Sequence, residues 1–175
     1  MIRFVGVLMI FAVSAFAGIV YRAPQAVETA EFMGTDGGPV VEFNLTALET
    51  IESSVAGYGS GITFRIPGGG YGAEVGTPDV PCIRRMVQIP NTGDISIEII
   101  SSESSVLGNY NVLPMQPFGD RSGNPVPLEV NEEVYSTSSA YPSTPVVIER
   151  VSILRDIRVA WVRFNPVSVN PVTGE

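Results

Sequence analysis

Histidine and lysine are both missing from this 175-residue chain, and cysteine occurs once, at Cys82. Each absence removes a class of chemistry. Without histidine, neither a Ser-His-Asp triad nor a Cys-His pair can be assembled within the chain. A zinc site of the usual Cys/His kind has too few ligands. Without lysine there is no Schiff base, no Ser-Lys dyad and no Walker phosphate loop, so the PGGGYG stretch from Pro67 reads as a turn. One cysteine cannot form an internal disulfide. Cys82 is expected to be a small buried hydrophobe, the alternative being a thiol that reacts or pairs with another molecule. All ten cations are arginines and the net charge is -8, with no arginine cluster. That balance argues against a nucleic-acid partner.

What is present starts with a leader. Residues 1–17 read MIRFVGVLMIFAVSAFA, with Arg3 as a positive start, an apolar stretch over 5–13 and an Ala15-Phe16-Ala17 processing site. This is the layout of a secretory signal peptide cut between Ala17 and Gly18. The alternative is a buried helix or an uncleaved anchor, but the run is short for a membrane span. Nothing later is long and apolar enough to cross a bilayer.

The remainder suits one domain, 18–165, with an extended tail over 166–175. Val41, Phe43 and Leu45 alternate like a strand, although Leu45, Leu48, Ile51 and Val55 could line a short helix. GITFRIP, CIRRMVQIP and DISIEII are strand candidates closed by Gly, Pro, Asn and Asp turns. LPMQPFGDRSGNPVP is a long connection. Its prolines cannot donate to a central ladder, which places it at an edge or on the surface. The runs 146–153 and 157–164 should be adjacent antiparallel strands. On the second, Ile157, Val159 and Trp161 share a face, and Trp161 is the expected core anchor with Ile97 and Phe64. Residues 129–141 are polar, with one short strand at most. The fold class is all-β: an antiparallel, jelly-roll-like sandwich.

Other candidate sites read as ordinary surface. Asp36, Asp79, Asp94 and Asp120 are oxygen ligands that calcium could use, but no EF-hand spacing is present and no cofactor is expected. Glu132 and Glu133 on a strand would face opposite ways and be solvated. Asn44-Leu45-Thr46 matches a glycosylation sequon. Tyr58, Tyr71, Tyr110, Tyr135 and Tyr141 could line a sugar-binding face, but their irregular spacing favours separate packing roles.

Four stretches carry a resemblance. GTPDVPCIRRMVQIP from Gly76, then Pro114, Gln116 and Pro117 in LPMQP, then Tyr141-Pro142 with PVVIE, and finally LRDIRVAWVRFNPVSVNP occur in one order across 76–174. Together they resemble the propeptide domain of the gingipain-type, C25-family cysteine peptidases. The resemblance implies a β-sandwich that acts as built-in inhibitor and folding assistant of a secreted bacterial peptidase, in the periplasm or outside the cell. It implies a C25-type peptidase domain as partner, joined through the 166–175 tail, and no catalysis by this chain itself. Because such peptidases cleave after basic residues, an arginine on an accessible loop is the expected contact with the active site. Arg121, in PFGDRSGNPVP, fits best, since flanking prolines restrict the loop and glycines let it turn. Arg84 and Arg85 are the alternatives, although they sit in a strand candidate, with Arg155 to be scanned beside them; the plain alternative is a solvated Arg121 beside Asp120. Rival functions are a stand-alone secreted sandwich that binds carbohydrate or a cell-surface protein, and a structural piece of a larger secreted protein.

If the leader is cut where the sequence indicates, intact mass or N-terminal sequencing of exported material will show a chain starting at Gly18. A secreted product that keeps residues 1–13 is incompatible with that processing.

Overall fold

A computed structural model describes residues 2–6, 19–22, 28–35, 38–45, 47–119 and 126–175. Eleven strands and one short helix occur among them: β1 Ile2–Gly6, β2 Ile19–Arg22, β3 Glu28–Thr35, β4 Gly38–Leu45, β5 Ala47–Val55, β6 Gly59–Arg65, β7 Gly70–Tyr71, β8 Pro81–Gln88, β9 Ile97–Ser102, α1 Glu132–Ser136, β10 Val146–Leu154 and β11 Ile157–Phe164. They form sheets in the orders β3-β4-β1-β9, β10-β11-β8-β7 and β2-β5-β6. Most pairs are antiparallel, as in β3–β4, β5–β6, β8–β11 and β10–β11. The expected all-β, sandwich-like architecture is what the chain adopts.

The core shows why these strands pack. Val41 and Phe43 of β4 alternate inward, and Leu45 continues the pattern; all three are buried. They meet Ile83 and Val87 of β8 and Ala160, Val162 and Phe164 of β11 in one apolar cluster. Phe43 stacks on Phe164 across the sheets, with ring centroids 4.9 Å apart. Of the two openings considered for the region after Pro39, the strand is realised: Leu48 is buried within β5, not on a helix.

Several expectations are corrected. Trp161 is not the core anchor. On a strand successive side chains alternate, and the face turned to the apolar cluster carries Ala160, Val162 and Phe164. Trp161 points to the other face, half-buried beneath the Arg150 guanidinium, 4.5 Å from its ring centre. Phe64 is in the core, and Ile97 is partly buried against it. The polar stretch around 129–141 holds a helical turn, not a strand. Asn131 caps it, its side chain accepting from the Val134 amide, and Glu132 and Glu133 occupy the first turn, where carboxylates are favoured.

The proline-rich connection is also more central than expected. Val112, Leu113 and Met115 are buried. Pro114 faces Pro78 in an antiparallel bridge, and the bonds on either side run from Asp79 N–H to Leu113 O and from Met115 N–H to Thr77 O, each 2.8 Å. Opposed residues at a non-hydrogen-bonded position need no amide, so both prolines sit where a missing N–H costs nothing.

At the N-terminus, Ile2–Gly6 is a strand that pairs in parallel with both β4 and β9. The cleavage position at Ala17 and Gly18 lies outside the described residues. The tail packs against the domain. Val167 and Val169 are buried. Tyr141 and Val169 exchange two backbone bonds of 2.8 Å, and Tyr110 N–H donates to Gly174 O at 2.7 Å. Among the described residues no helix is long and apolar enough to cross a membrane.

Phe164→Ala should lower the free energy of unfolding by about 3–5 kcal/mol, the usual result of emptying a buried aromatic site. Trp161→Ala should cost clearly less, and chemical unfolding of the two variants side by side measures the difference. Equal losses would put Trp161 back in the core.

Candidate functional site

Residues 76–80 are buried throughout and serve as a backbone hub. A buried amide or carbonyl must find a partner, and here the partners come from several elements. Gly76 N–H donates to Met115 O at 2.7 Å, and Gly76 O accepts from Asn131 N–H at 2.9 Å. Phe64 N–H reaches Asp79 O at 3.4 Å, and Gly72 N–H reaches Val80 O at 3.2 Å. Gly76 has φ +84, and a Cβ there would stand 3.0 Å from Asn131 N, so both conformation and space demand glycine. The two stems held by this hub, 112–116 and 129–131, are the ends of the proline-rich connection.

Between the stems, Gln116 closes the base. Its Nε2 donates to Glu129 O at 2.8 Å and to Pro114 O at 3.1 Å, and its Oε1 accepts from Glu129 N–H at 3.1 Å. The side-chain amide thus imitates a strand's backbone toward Glu129. Beside it an aromatic column stands on a half-buried ion pair. Asp79 is buried and takes a bidentate contact from Arg65, at 2.6 and 3.1 Å. Two-pronged guanidinium–carboxylate geometry fixes both groups in direction as well as distance. The held guanidinium lies 4.8 Å from the Tyr71 ring centre, and Phe118 meets the Tyr71 ring edge-on at 5.7 Å. Phe118 is 76% exposed, so an aromatic side chain is presented to solvent on a supported footing.

The structure treats the expected contact residues differently. Arg121, with Asp120, lies outside the described residues; its neighbours Phe118, Gly119 and Val126 mark the loop's two limbs. Arg84 is committed elsewhere: its Nε donates to both Glu149 carboxylate oxygens, at 2.9 and 3.1 Å, and Nη1 to Tyr71 O at 2.9 Å. The Glu149 bond holds its pKa above the ordinary guanidinium value. Arg85 donates to Arg84 O at 2.8 Å along β8. Arg155 is exposed at the β10–β11 turn with φ +56. Among the described residues, Arg84, Arg85 and Arg155 thus have separate settings.

The other candidates disperse too. Of the calcium-type oxygens, Asp79 is taken by Arg65, while Asp36 and Asp120 lie outside the described residues. Among the described residues no three His, Cys, Asp or Glu side chains cluster. Tyr110 packs edge-on against Phe64 and Tyr71 against Phe118, while Tyr58 packs edge-on against Tyr135. Burial pushes the Tyr135 hydroxyl far above the ordinary phenol range, and that hydroxyl donates to Val112 O at 3.0 Å. Asn44 donates to Glu42 within β4, and Thr46 of the sequon lies outside the described residues. Cys82 is buried, donates to Tyr71 O at 3.2 Å, and has its thiol pKa raised by burial. This is the inert packing role expected of it.

Against known proteins, the family model Propeptide_C25 matches residues 25–175. The chain belongs to this propeptide family. The family is non-catalytic, and the match reaches well upstream of Gly76, where the sequence motifs begin. A Lys-gingipain of Porphyromonas gingivalis is 26% identical over 141 residues, covering 77% of this chain and 8% of that protein. Gingipain R1 of the same bacterium is 28% identical over 102 residues, covering 58% of this chain and 10% of that protein. The chain thus spans under a tenth of the Lys-gingipain's length. Two solved structures share the fold. One bears on the zymogenic latency of gingipain K from P. gingivalis, with a TM-score of 0.66 at 21% identity, covering 88% of each chain. The other is the complex of P. gingivalis RgpB pro- and mature domains, with a TM-score of 0.61 at 22% identity, covering 89% of this chain and 77% of that one.

Sequence reasoning quoted Gln116 only as part of a motif and missed the Arg65–Asp79 pair. The available signal was Asn131 followed by two glutamates, a helix start that fixes one stem. Gly76→Ala should destabilise the domain by about 1–3 kcal/mol through left-handed strain and the clash with Asn131. Gly68→Ala, at φ +76 but facing open space, should lose less. Unfolding midpoints of the pair separate the steric part from the conformational part.

Proposed function

We propose that the chain is the latency-conferring propeptide of an exported bacterial C25-type cysteine peptidase. It acts as inhibitor and folding assistant until proteolysis releases it, in the periplasm or outside the cell. Family membership across residues 25–175 carries this reading. Supporting it is the fold shared with one half of a complex of pro- and mature domains. The peptidase domain is a separate part of the precursor and supplies all the catalytic groups.

The contact with the active site comes from the loop anchored at Gln116 and Glu129. In this reading Arg121 enters the specificity pocket as a substrate side chain would. Its guanidinium meets a carboxylate at the pocket base in a two-pronged pair. A loop already ordered at both ends loses less entropy on docking. Arg84 and Arg85 fit this role poorly, because their hydrogen bonds hold them along the β8 sheet.

The test supplies the mature peptidase separately and compares inhibition constants for the wild-type chain and Arg121→Ala. Loss of a charge-assisted contact is commonly worth about 1.5–3 kcal/mol, so inhibition should weaken about tenfold or more. An unchanged constant with the fold intact removes Arg121 from the pocket and sends the search to Arg155.

A further inference from the structure

We infer that Gln116 is the positioning residue of the inhibitory loop, a side-chain clamp that sets how rigidly the loop is presented. The inference rests on the propeptide reading for its consequence, but its geometry stands alone. Few single side chains can hold two chain segments in register. A primary amide can, because it offers a donor and an acceptor side by side, as a peptide group does. Gln116 uses both toward one residue, donating to Glu129 O at 2.8 Å and accepting from Glu129 N–H at 3.1 Å. Its second amide hydrogen turns back to Pro114 O at 3.1 Å. That bond ties the clamp to its own stem, whose neighbours Leu113 and Met115 are bonded to Asp79 and Thr77.

The position of the clamp gives it leverage. Glu129 is exposed, and its amide bonds to the Gln116 side chain. Two residues on, Asn131 returns to the buried hub through Gly76. Without the clamp the second stem would be fixed only from Asn131 onward, and the loop would lengthen at its C-terminal side. The first limb has its own support, Phe118 against Tyr71 and Tyr71 under Arg65, so the two limbs are held by independent devices. Looser limbs enlarge the conformational freedom that docking must remove, and affinity falls without loss of any contact to the peptidase.

Hydrogen exchange on the 175-residue chain tests the clamp directly. In the wild type the Glu129 amide should exchange well below the rate of an unstructured amide, although its residue is exposed. Gln116→Met keeps length and flexibility but cannot hydrogen-bond. It should accelerate Glu129 exchange roughly threefold to tenfold, the equivalent of losing one ordinary hydrogen bond. The amides of Leu113 and Met115, which donate to Ile62 O and Thr77 O, should not change. Cleavage by trypsin within residues 117–128 should accelerate in parallel, and inhibition of the separately supplied mature peptidase of the same precursor should weaken by a similar factor relative to wild type, with the unfolding midpoint nearly unchanged. An unprotected Glu129 amide in the wild-type chain overturns the inference even if the variant does not fold. So does faster exchange in the variant with an unaltered inhibition constant. If the wild-type chain fails to inhibit, the propeptide reading is what falls, and exchange and trypsin cleavage still decide the clamp.

Discussion

Residues 76–80 must satisfy their backbone on two sides at once, and much of the molecule is arranged around that demand. The segment is buried, so each polar group left unpaired would cost about 1–3 kcal/mol. β6 provides an amide for Asp79, the proline-rich stem bonds to Gly76, Thr77 and Asp79, and Asn131 takes the carbonyl of Gly76. Glycine at 76 follows from this crowding, and prolines at 78 and 114 are tolerated because they oppose each other where no amide is needed. The Asp79 side chain adds a charge to the same place, and Arg65 must then be held against it. An ion pair with one buried and one part-exposed partner contributes little net stability, since desolvation of the carboxylate offsets the attraction. Its effect here is directional, since the fixed guanidinium becomes a platform for Tyr71.

That arrangement explains how far the sequence could be read. Alternation located β4, β6 and the β10–β11 hairpin, because each has one face turned to a core and one to solvent. It could not choose between the faces of β11. Both carry large apolar side chains, and which face meets β4 depends on how the sheets pack, a property that Trp161 and Val162 do not encode locally. The buried course of 112–115 was hidden for a similar reason. Proline signals an edge unless its missing amide is matched by another missing amide, and Pro78 is thirty-six residues from Pro114 in the chain. The helix start at Asn131 was legible and was passed over in favour of a polar strand.

The motif that carried the family resemblance turns out to be largely backbone architecture. Gly76, Pro78, Pro114 and Gln116 are the residues that let two stems meet a buried segment and close a loop above it. None could act on a substrate. A family signature made of such positions marks a scaffold built to present something, which is why it pointed to fold and partner class while leaving the contact residue open among Arg121, Arg84, Arg85 and Arg155.

A propeptide must bind its peptidase while joined to it and let go afterwards, and rigidity of the loop has to be tuned between these needs. A short tether supplies an effective concentration on the order of millimolar. A dissociation constant of about a micromolar then leaves roughly one precursor in a thousand open, while the same constant at nanomolar concentration after cleavage lets nearly all complexes separate. A loop frozen on every side would push affinity beyond that range and hinder release. Two separable supports, an aromatic column on one limb and a single amide clamp on the other, allow the stiffness of the loop to be adjusted without disturbing the buried hub on which the fold depends.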